Sequence, residues 1–223
     1  MVFMFDESAG KDSFSIRGDG FKYLIKVRRH SVGDEINFRS FSDTAKLYKY
    51  KITSIENRSL VLELLEVSLH EVKPKKTLHL GWCIIDSKSI EKVLPSLCEI
   101  GVDKISFISC DRSQRNFRLD FKRFERILQT SMQQSGRSSF MKFDSFKNVK
   151  EFITEFPQTK IFDFCDKSLD DYSDIDTVLI GCEGGFSQDE REFLKQKDVF
   201  SLDTKMVLRS ESAVMAVSSK ILL

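Results

Sequence analysis

At residues 73–76 the hydrophobic period of this 223-residue chain changes, and no single sheet or bundle accommodates the patterns on both sides. Before Val72-Lys73-Pro74-Lys75-Lys76 the apolar residues come in short runs and alternations, such as Glu35-Ile36-Asn37-Phe38-Arg39 and Ser59-Leu60-Val61-Leu62-Glu63-Leu64. Turn signals at Gly18-Asp19-Gly20, Gly33-Asp34 and Glu56-Asn57-Arg58-Ser59 separate them, a pattern that predicts a compact β-barrel. After the break, strand-like residues 77–85 give way to Ile90, Val93, Leu94, Leu97 and Ile100 at helical spacing, closed by Gly101, and residues 104–109 are strand-like again. Alternation of this kind builds a parallel sheet, so the class is α/β with a small β module in front. Pro95 has no amide proton and is expected to kink the first helix. Phe121, Phe124, Ile127, Leu128 and Met132 mark a second amphipathic helix; further strands are expected at 159–164, 177–181 and 198–202, and a final helix over about 210–222. The proline and three lysines of the break read as a linker, which places the domains at 1–72 and 73–223.

Hydrophobic residues at 41% and charged residues at 31% are ordinary globular values and exclude a disordered or collagen-like chain. No apolar run approaches the ~18 residues that cross a bilayer, and the start Met1-Val2-Phe3-Met4-Phe5-Asp6 lacks a basic segment, so neither a membrane span nor an export signal is expected. Five cysteines, an odd number without metal-ligand spacing, point to a reducing, cytoplasmic compartment and to no metal. The net charge of +1 hides segregation: residues 111–150 hold ten Lys/Arg against four Asp/Glu, and residues 151–180 hold two against eight. Residues 1–72 balance at eleven of each sign, yet Lys22, Lys26, Arg28 and Arg29 fall together with no acid between them. Either a polyanion such as nucleic acid or a solvated helix face accounts for the basic segment.

Two segments carry chemistry. In Thr177-Val178-Leu179-Ile180-Gly181-Cys182-Glu183-Gly184-Gly185-Phe186-Ser187-Gln188-Asp189-Glu190, a buried strand runs into three glycines, and Ser187 with Glu190 forms a capping box that opens a helix. A glycine turn between strand and helix N-terminus suits a ligand at the carboxyl edge of a parallel sheet, although a tight turn that binds nothing has the same composition. There is no P-loop and no dinucleotide fingerprint. In Ser201-Leu202-Asp203-Thr204-Lys205-Met206-Val207-Leu208-Arg209-Ser210-Glu211-Ser212-Ala213 the chain again passes from strand to helix, with Ser210 the candidate N-cap and Glu211 suited to the first turn. Two such loops in succession suggest one shared pocket, and Ala213, Ala216 and Ser219 would let the last helix pack closely.

These segments resemble the RsmE-like uridine N3-methyltransferases of 16S ribosomal RNA, in the SPOUT superfamily. The family's Gly-Pro-Glu-Gly-Gly-Phe/Leu-Ser-x-x-Glu signature matches Gly181 to Glu190 with Cys182 in place of proline, and Leu-Arg-x-Glu-Thr-Ala matches Leu208, Arg209, Glu211 and Ala213 with Ser212 for threonine. Glu99-Ile100-Gly101-Val102, Arg112-Ser113, Gln134-Ser135-Gly136-Arg137 and the basic Lys26-Val27-Arg28-Arg29 before Gly33-Asp34 extend the likeness over nearly the whole chain. Departures are Asp203-Thr204-Lys205-Met206 where the family has Leu-Gly-Pro-Arg, and Gln133 for a frequent glutamate.

The resemblance implies an N-terminal PUA-like β-barrel that binds RNA and a C-terminal SPOUT domain whose parallel sheet carries a deep trefoil knot. It implies S-adenosylmethionine as methyl donor, held by Phe164, Gly181, Glu183, Gly184, Gly185, Leu202, Val207 and Leu208, and methylation of N3 of a uracil, at position 1498 in the family's target. Arg209 and Glu211 are the implied catalytic pair; Lys26, Arg28, Arg29, Arg112, Arg123, Gln134 and Arg137 are implied to contact RNA of the small ribosomal subunit. A homodimer using the small-residue face of the last helix is implied too. Three alternatives remain open: a related enzyme modifying another nucleotide, an inactive RNA-binding relative, and an unrelated α/β enzyme with another nucleotide ligand.

Overall fold

A computed structural model describes residues 2–114, 118–169 and 174–223 of the chain. Two compact units emerge: one extends to Lys73 and includes Met132–Ser139, the other comprises Pro74–Ser131 and Phe140–Leu223.

The first unit is a five-stranded sheet. Its elements are β1 (Met4–Phe5), β2 (Ser13–Arg17), helix α1 (Gly18–Lys22), β3 (Glu35–Arg39), β4 (Lys46–Ile55) and β5 (Ser59–Leu69). The strand order is β1-β3-β4-β5-β2, with β1 parallel to β3 and the other pairs antiparallel. Alternation puts Ile36 and Phe38 of β3, Tyr50 and Ile52 of β4, and Leu60 and Leu62 of β5 on one buried face. Register shifts at Lys49/Tyr50 and Ile52/Ser54 mark irregularities in the long β4–β5 pair. The stretch Gly18-Asp19-Gly20, expected as a turn, instead starts α1, which continues as a π-helical turn over Tyr23–Val27. Gly18 at φ 61° redirects the chain, and burial of Phe21 and Leu24 in the sheet's core outweighs the local turn preference. Met132–Ser139, which the sequence pattern assigns to the second domain, is bonded into this unit: the Val2 amide donates to the Gln133 carbonyl at 2.8 Å, Phe5 N to Gln133 Oε1 at 2.9 Å, and Val72 N to Ser138 Oγ at 2.9 Å.

The second unit is a six-stranded, wholly parallel sheet: β6 (His79–Cys83), β7 (Lys104–Ile108), β8 (Lys142–Phe146), β9 (Lys160–Phe162), β10 (Thr177–Ile180) and β11 (Val199–Phe200), in the order β11-β9-β10-β6-β7-β8. Helices α2 (Ser87–Ile100), α3 (Phe121–Ser135), α4 (Val149–Glu155), α5 (Gln188–Leu194) and α6 (Ser210–Leu222) connect or follow the strands. The chain builds outward from β6 through β7 to β8, then resumes on the other side of β6, so β6 and β10 flank the point at which strand order reverses. In parallel sheets that crevice is where ligands bind.

Helix α2 buries Ile90, Val93, Leu94, Leu97 and Cys98 and ends at Gly101, left-handed at φ 111° with Pro74 against it. Pro95 lies inside this helix without ending it, and its carbonyl accepts the Ser131 hydroxyl at 2.9 Å. No helix among the described residues is long and apolar enough to cross a membrane.

At the opposite end of the strands, the His79 ring lies 2.6 Å from Ser106 Oγ; Ser106 in turn donates to Asp144, which is ion-paired with Lys104 at 2.6 Å. Phe152 and Phe156 pack edgewise on the imidazole. Burial, reinforced by the Lys104 charge, lowers the His79 pKa from 6.5 to about 4. An unfolded chain takes up this proton at the higher value, so the stabilising contribution is complete above pH 6.5 and is lost as pH falls toward 4. Thermal midpoints should decline across that window in the wild type and less steeply in His79→Gln; parallel profiles would show that the imidazole contributes nothing.

Candidate functional site

The loops that leave β9, β10 and β11 enclose a cavity of about 550 Å³, within the range of small-molecule sites. Phe164, Gly181, Glu183, Gly184, Gly185, Leu202, Val207 and Leu208, the eight residues expected to hold a donor, all line it.

The glycine turn is compact because only glycine fits. A Cβ on Gly181 would lie 3.3 Å from the Gly185 Cα, where backbone cannot yield, and Gly185 sits at φ 64°, closed by its amide on the Cys182 carbonyl at 2.9 Å. The capping box is formed: Ser187 Oγ accepts from Glu190 N, and Glu190 Oε2 accepts from Ser187 N at 2.8 Å. The second oxygen of Glu190 accepts from Asp111 N at 3.0 Å, so one buried carboxylate ties the β10 turn to the loop after β7. Burial pushes the Glu190 carboxyl above its ordinary pKa against the pull of these amides. Arg112 adds a second tie, donating from Nη1 to the Gly184 carbonyl at 2.6 Å.

The third loop is anchored differently from expectation. Arg209, not Ser210, is the N-cap of α6 and makes no side-chain cap. Ser210 is fully engaged elsewhere: its hydroxyl donates to the Gly181 carbonyl at 2.6 Å and accepts the indole N–H of Trp82 at 2.8 Å. Because Trp82 lies in β6, this buried relay joins the centre of the sheet, the glycine turn and the start of α6.

Apolar and charged groups share the lining. Ile180, Leu202 and Leu208 supply apolar surface, Phe164, Met206 and Val207 are each about three-quarters exposed, and Asp163, Asp166 and Glu183 supply carboxylates. Asp163 is gripped by Arg191 through Nε at 3.0 Å and Nη2 at 3.1 Å. No local pattern announces that pair, whose members lie 28 residues apart.

Arg209 is exposed and sits outside the lining, between Leu208 and Ser210, which belong to it. Glu211 is half-buried, and its Oε2 has no hydrogen-bond partner. Among the described residues no ion pair joins the two. Lys26, Arg28 and Arg29 are exposed in the first unit, Arg29 at φ 60°, and Gln134 is exposed there as well. Arg137 is buried instead: following Gly136 at φ 86°, its Nε turns back to the Ser139 carbonyl at 2.7 Å, and it presents no charge to solvent. In the second unit Arg112 and Arg123 are exposed, Arg123 paired with Glu91 at 2.6 Å. In α6 Ala213 is buried and Ala216 and Ser219 are half-buried. Among the described residues no group of three or more His, Cys, Asp or Glu side chains is placed to hold a metal.

Residues 72–222 match the RNA methyltransferase domain family. The chain is 35% identical to ribosomal RNA small subunit methyltransferase E of Helicobacter pylori, over 98% of each chain, and 26% identical to the protein of the same name from Aquifex aeolicus, over 98% of this chain and 97% of that one. Among solved structures, ribosomal RNA small subunit methyltransferase E of Neisseria gonorrhoeae bound to S-adenosylmethionine superposes with a TM-score of 0.77 at 19% identity, over 99% of this chain and 96% of that one. A methyltransferase of Legionella pneumophila in complex with the same molecule gives 0.79 at 19% identity, over 99% and 95%. At such identities the structural likeness speaks for the fold.

Removing the Ser210 hydroxyl strands a buried indole N–H and takes its donor from the half-buried Gly181 carbonyl. Ser210→Ala should cost about 1–3 kcal/mol in denaturant unfolding, whereas Ser212→Ala, at an exposed position one residue past Glu211, should cost little. Equal midpoints for the two variants would show that the relay bears no load.

Proposed function

Because the chain belongs to the RNA methyltransferase family of ribosomal RNA small subunit methyltransferase E, we propose that it transfers a methyl group from S-adenosylmethionine to N3 of a uridine in 16S ribosomal RNA, the equivalent of uracil 1498. The observation that carries the reading is the cavity lined by the loops that leave β9, β10 and β11, two of which hold the family signatures. Its lining suits the donor. Glycines permit close backbone approach, Ile180, Leu202 and Leu208 accept apolar surface, and Asp166 and Glu183 complement a positively charged molecule, Asp163 being paired with Arg191. When bound, S-adenosylmethionine supplies an electrophilic methyl group on a sulfonium centre.

This chain's own task is then to present an unpaired uracil and to favour loss of its N3 proton. Arg209, always charged and next to two lining residues, is assigned to stabilise the uracil anion. Glu211, one oxygen of which lacks a partner, is assigned to orient that guanidinium once substrate is in place. Lys26, Arg28, Arg29, Arg112 and Arg123 are assigned to RNA phosphates, with Gln134 beside them in the contact set; buried Arg137 is left out. The same reading takes the first unit as a PUA-like RNA-binding module, the C-terminal segment of the second as a SPOUT trefoil knot, and the working state as a cytoplasmic homodimer with Ala216 and Ser219 toward the partner.

Incubation with labelled donor and small ribosomal subunits, followed by mass spectrometric mapping, should place the label on N3 of one uridine. A label on any other nucleotide atom would redirect the assignment to a related enzyme, and donor binding without transfer would leave an RNA-binding relative. Arg209→Ala should keep donor affinity and lower turnover by roughly a hundredfold, the scale of a lost anion-stabilising donor. Wild-type turnover in that variant would refute the role. Each phosphate contact removed, as in Arg28→Ala or Arg29→Ala, should reduce the slope of log affinity against log salt by about one; unchanged slope and affinity would mark those residues as solvated charges only.

A further inference from the structure

The cavity wall contains a chemistry that the methyl transfer does not use. Cys182, which lines the cavity within the glycine turn, has its Sγ 3.4 Å from Sγ of Cys110 in the loop that leaves β7. Both residues are buried, at 7% and 6% exposure, and a third buried thiol, Cys83, lies at the end of β6. Position 182 is where the family signature carries proline, so neither the fold nor the glycine turn demands a thiol there.

Three ties outside the sulfurs hold the two loops face to face: Arg112 to the Gly184 carbonyl, Asp111 N to Glu190, and Ser187 Oγ to the Asp111 carboxylate. A disulfide needs its sulfurs at about 2.05 Å, so the thiols have to approach by a little more than an ångström. The neighbouring thiols of Cys182 and Cys83, with the Ser113 hydroxyl 3.1 Å from its sulfur, pull the Cys110 thiol below its ordinary pKa, which favours a reactive thiolate within the pair. Of the two, Cys182 belongs to the cavity wall, and Cys110 lies behind it.

We propose that Cys110 and Cys182 are a redox-active dithiol that closes to a disulfide across the wall of the cavity. With hydrogen peroxide as oxidant, one sulfur attacks a peroxide oxygen, the O–O bond breaks, and a water leaves behind a sulfenic acid. The second sulfur displaces the sulfenic oxygen as another water. Two thiols are thereby oxidised to one disulfide while one peroxide is reduced to two waters. Closure draws Cys182 toward the β7 loop and displaces the turn from Gly181 to Gly185, which has no slack between Gly181 and Gly185. The consequence for ligand, which rests on the donor-site reading above, is that the oxidised protein binds S-adenosylmethionine at least about tenfold more weakly.

The test treats the full-length protein with hydrogen peroxide, blocks remaining thiols and maps linkages by mass spectrometry, with calorimetry on the same samples. The expected result is a Cys110–Cys182 linked peptide with loss of two hydrogen masses, its absence in Cys110→Ser and in Cys182→Ser, weakened donor binding after oxidation, and recovery of both with dithiothreitol. Cys110→Ser should keep its donor affinity through the peroxide treatment. No linkage in the wild type, a Cys83–Cys110 linkage instead, or unaltered donor affinity in fully linked protein would each overturn the proposal. If the reduced protein binds no donor, the donor-site reading fails, and linkage mapping still decides whether the dithiol closes.

Discussion

The indole N–H of Trp82 is buried in the middle of a parallel sheet, and the Ser210 hydroxyl that accepts it gives its own proton to the Gly181 carbonyl. Each of these groups is costly to leave unpaired away from water, so the three elements that carry them settle together or not at all. With β6 central, the start of α6 is pinned against the end of β10, and the loop before α6 has to close over the glycine turn. The cavity thus follows from a backbone problem solved inside the core.

A second layer of ties stiffens the same edge of the sheet. Glu190 spends one oxygen on its own helix start and the other on the loop after β7, and Arg112 spans from that loop to Gly184. Part of the Arg112 guanidinium is committed to the turn, while the residue remains exposed. Asp163 with Arg191 does the equivalent on the β9 side, where a bidentate pair holds a carboxylate at the cavity wall.

What the sequence disclosed divides along physical lines. Periodicity locates five of the six strands of the parallel sheet and the helices α2, α3 and α6, because an element with a buried stripe must repeat its apolar residues; the Ser187-to-Glu190 capping box is legible because both partners lie within one turn of helix. The strands β1, β2, β4 and β8 and the helix α4 are not legible in it; Lys46–Ile55 and Lys142–Phe146 intersperse lysine and polar residues in a way that local pattern does not separate from loop. Gly18-Asp19-Gly20 misled for the opposite reason: its turn chemistry is strong, but Phe21 and Leu24 just beyond it have a core to enter. Within the site, the glycines announced themselves, whereas Ser210 to Trp82, Asp163 to Arg191 and Cys110 to Cys182 span 128, 28 and 72 residues and leave no trace at short range. Burial of Arg137 depends on the conformation of Gly136 and was equally invisible.

The first unit is not a continuous piece of the gene. Gln133 and Ser138 accept the amides of Val2, Phe5 and Val72, so eight residues encoded far downstream complete a unit whose first stretch ends at Lys73. A cassette cut at the apparent linker would carry those amides away without their acceptors. Recombination between relatives, or fusion of this module to another catalytic domain, therefore preserves the unit only when both stretches travel together, which favours inheritance of the chain as a whole over exchange of its halves.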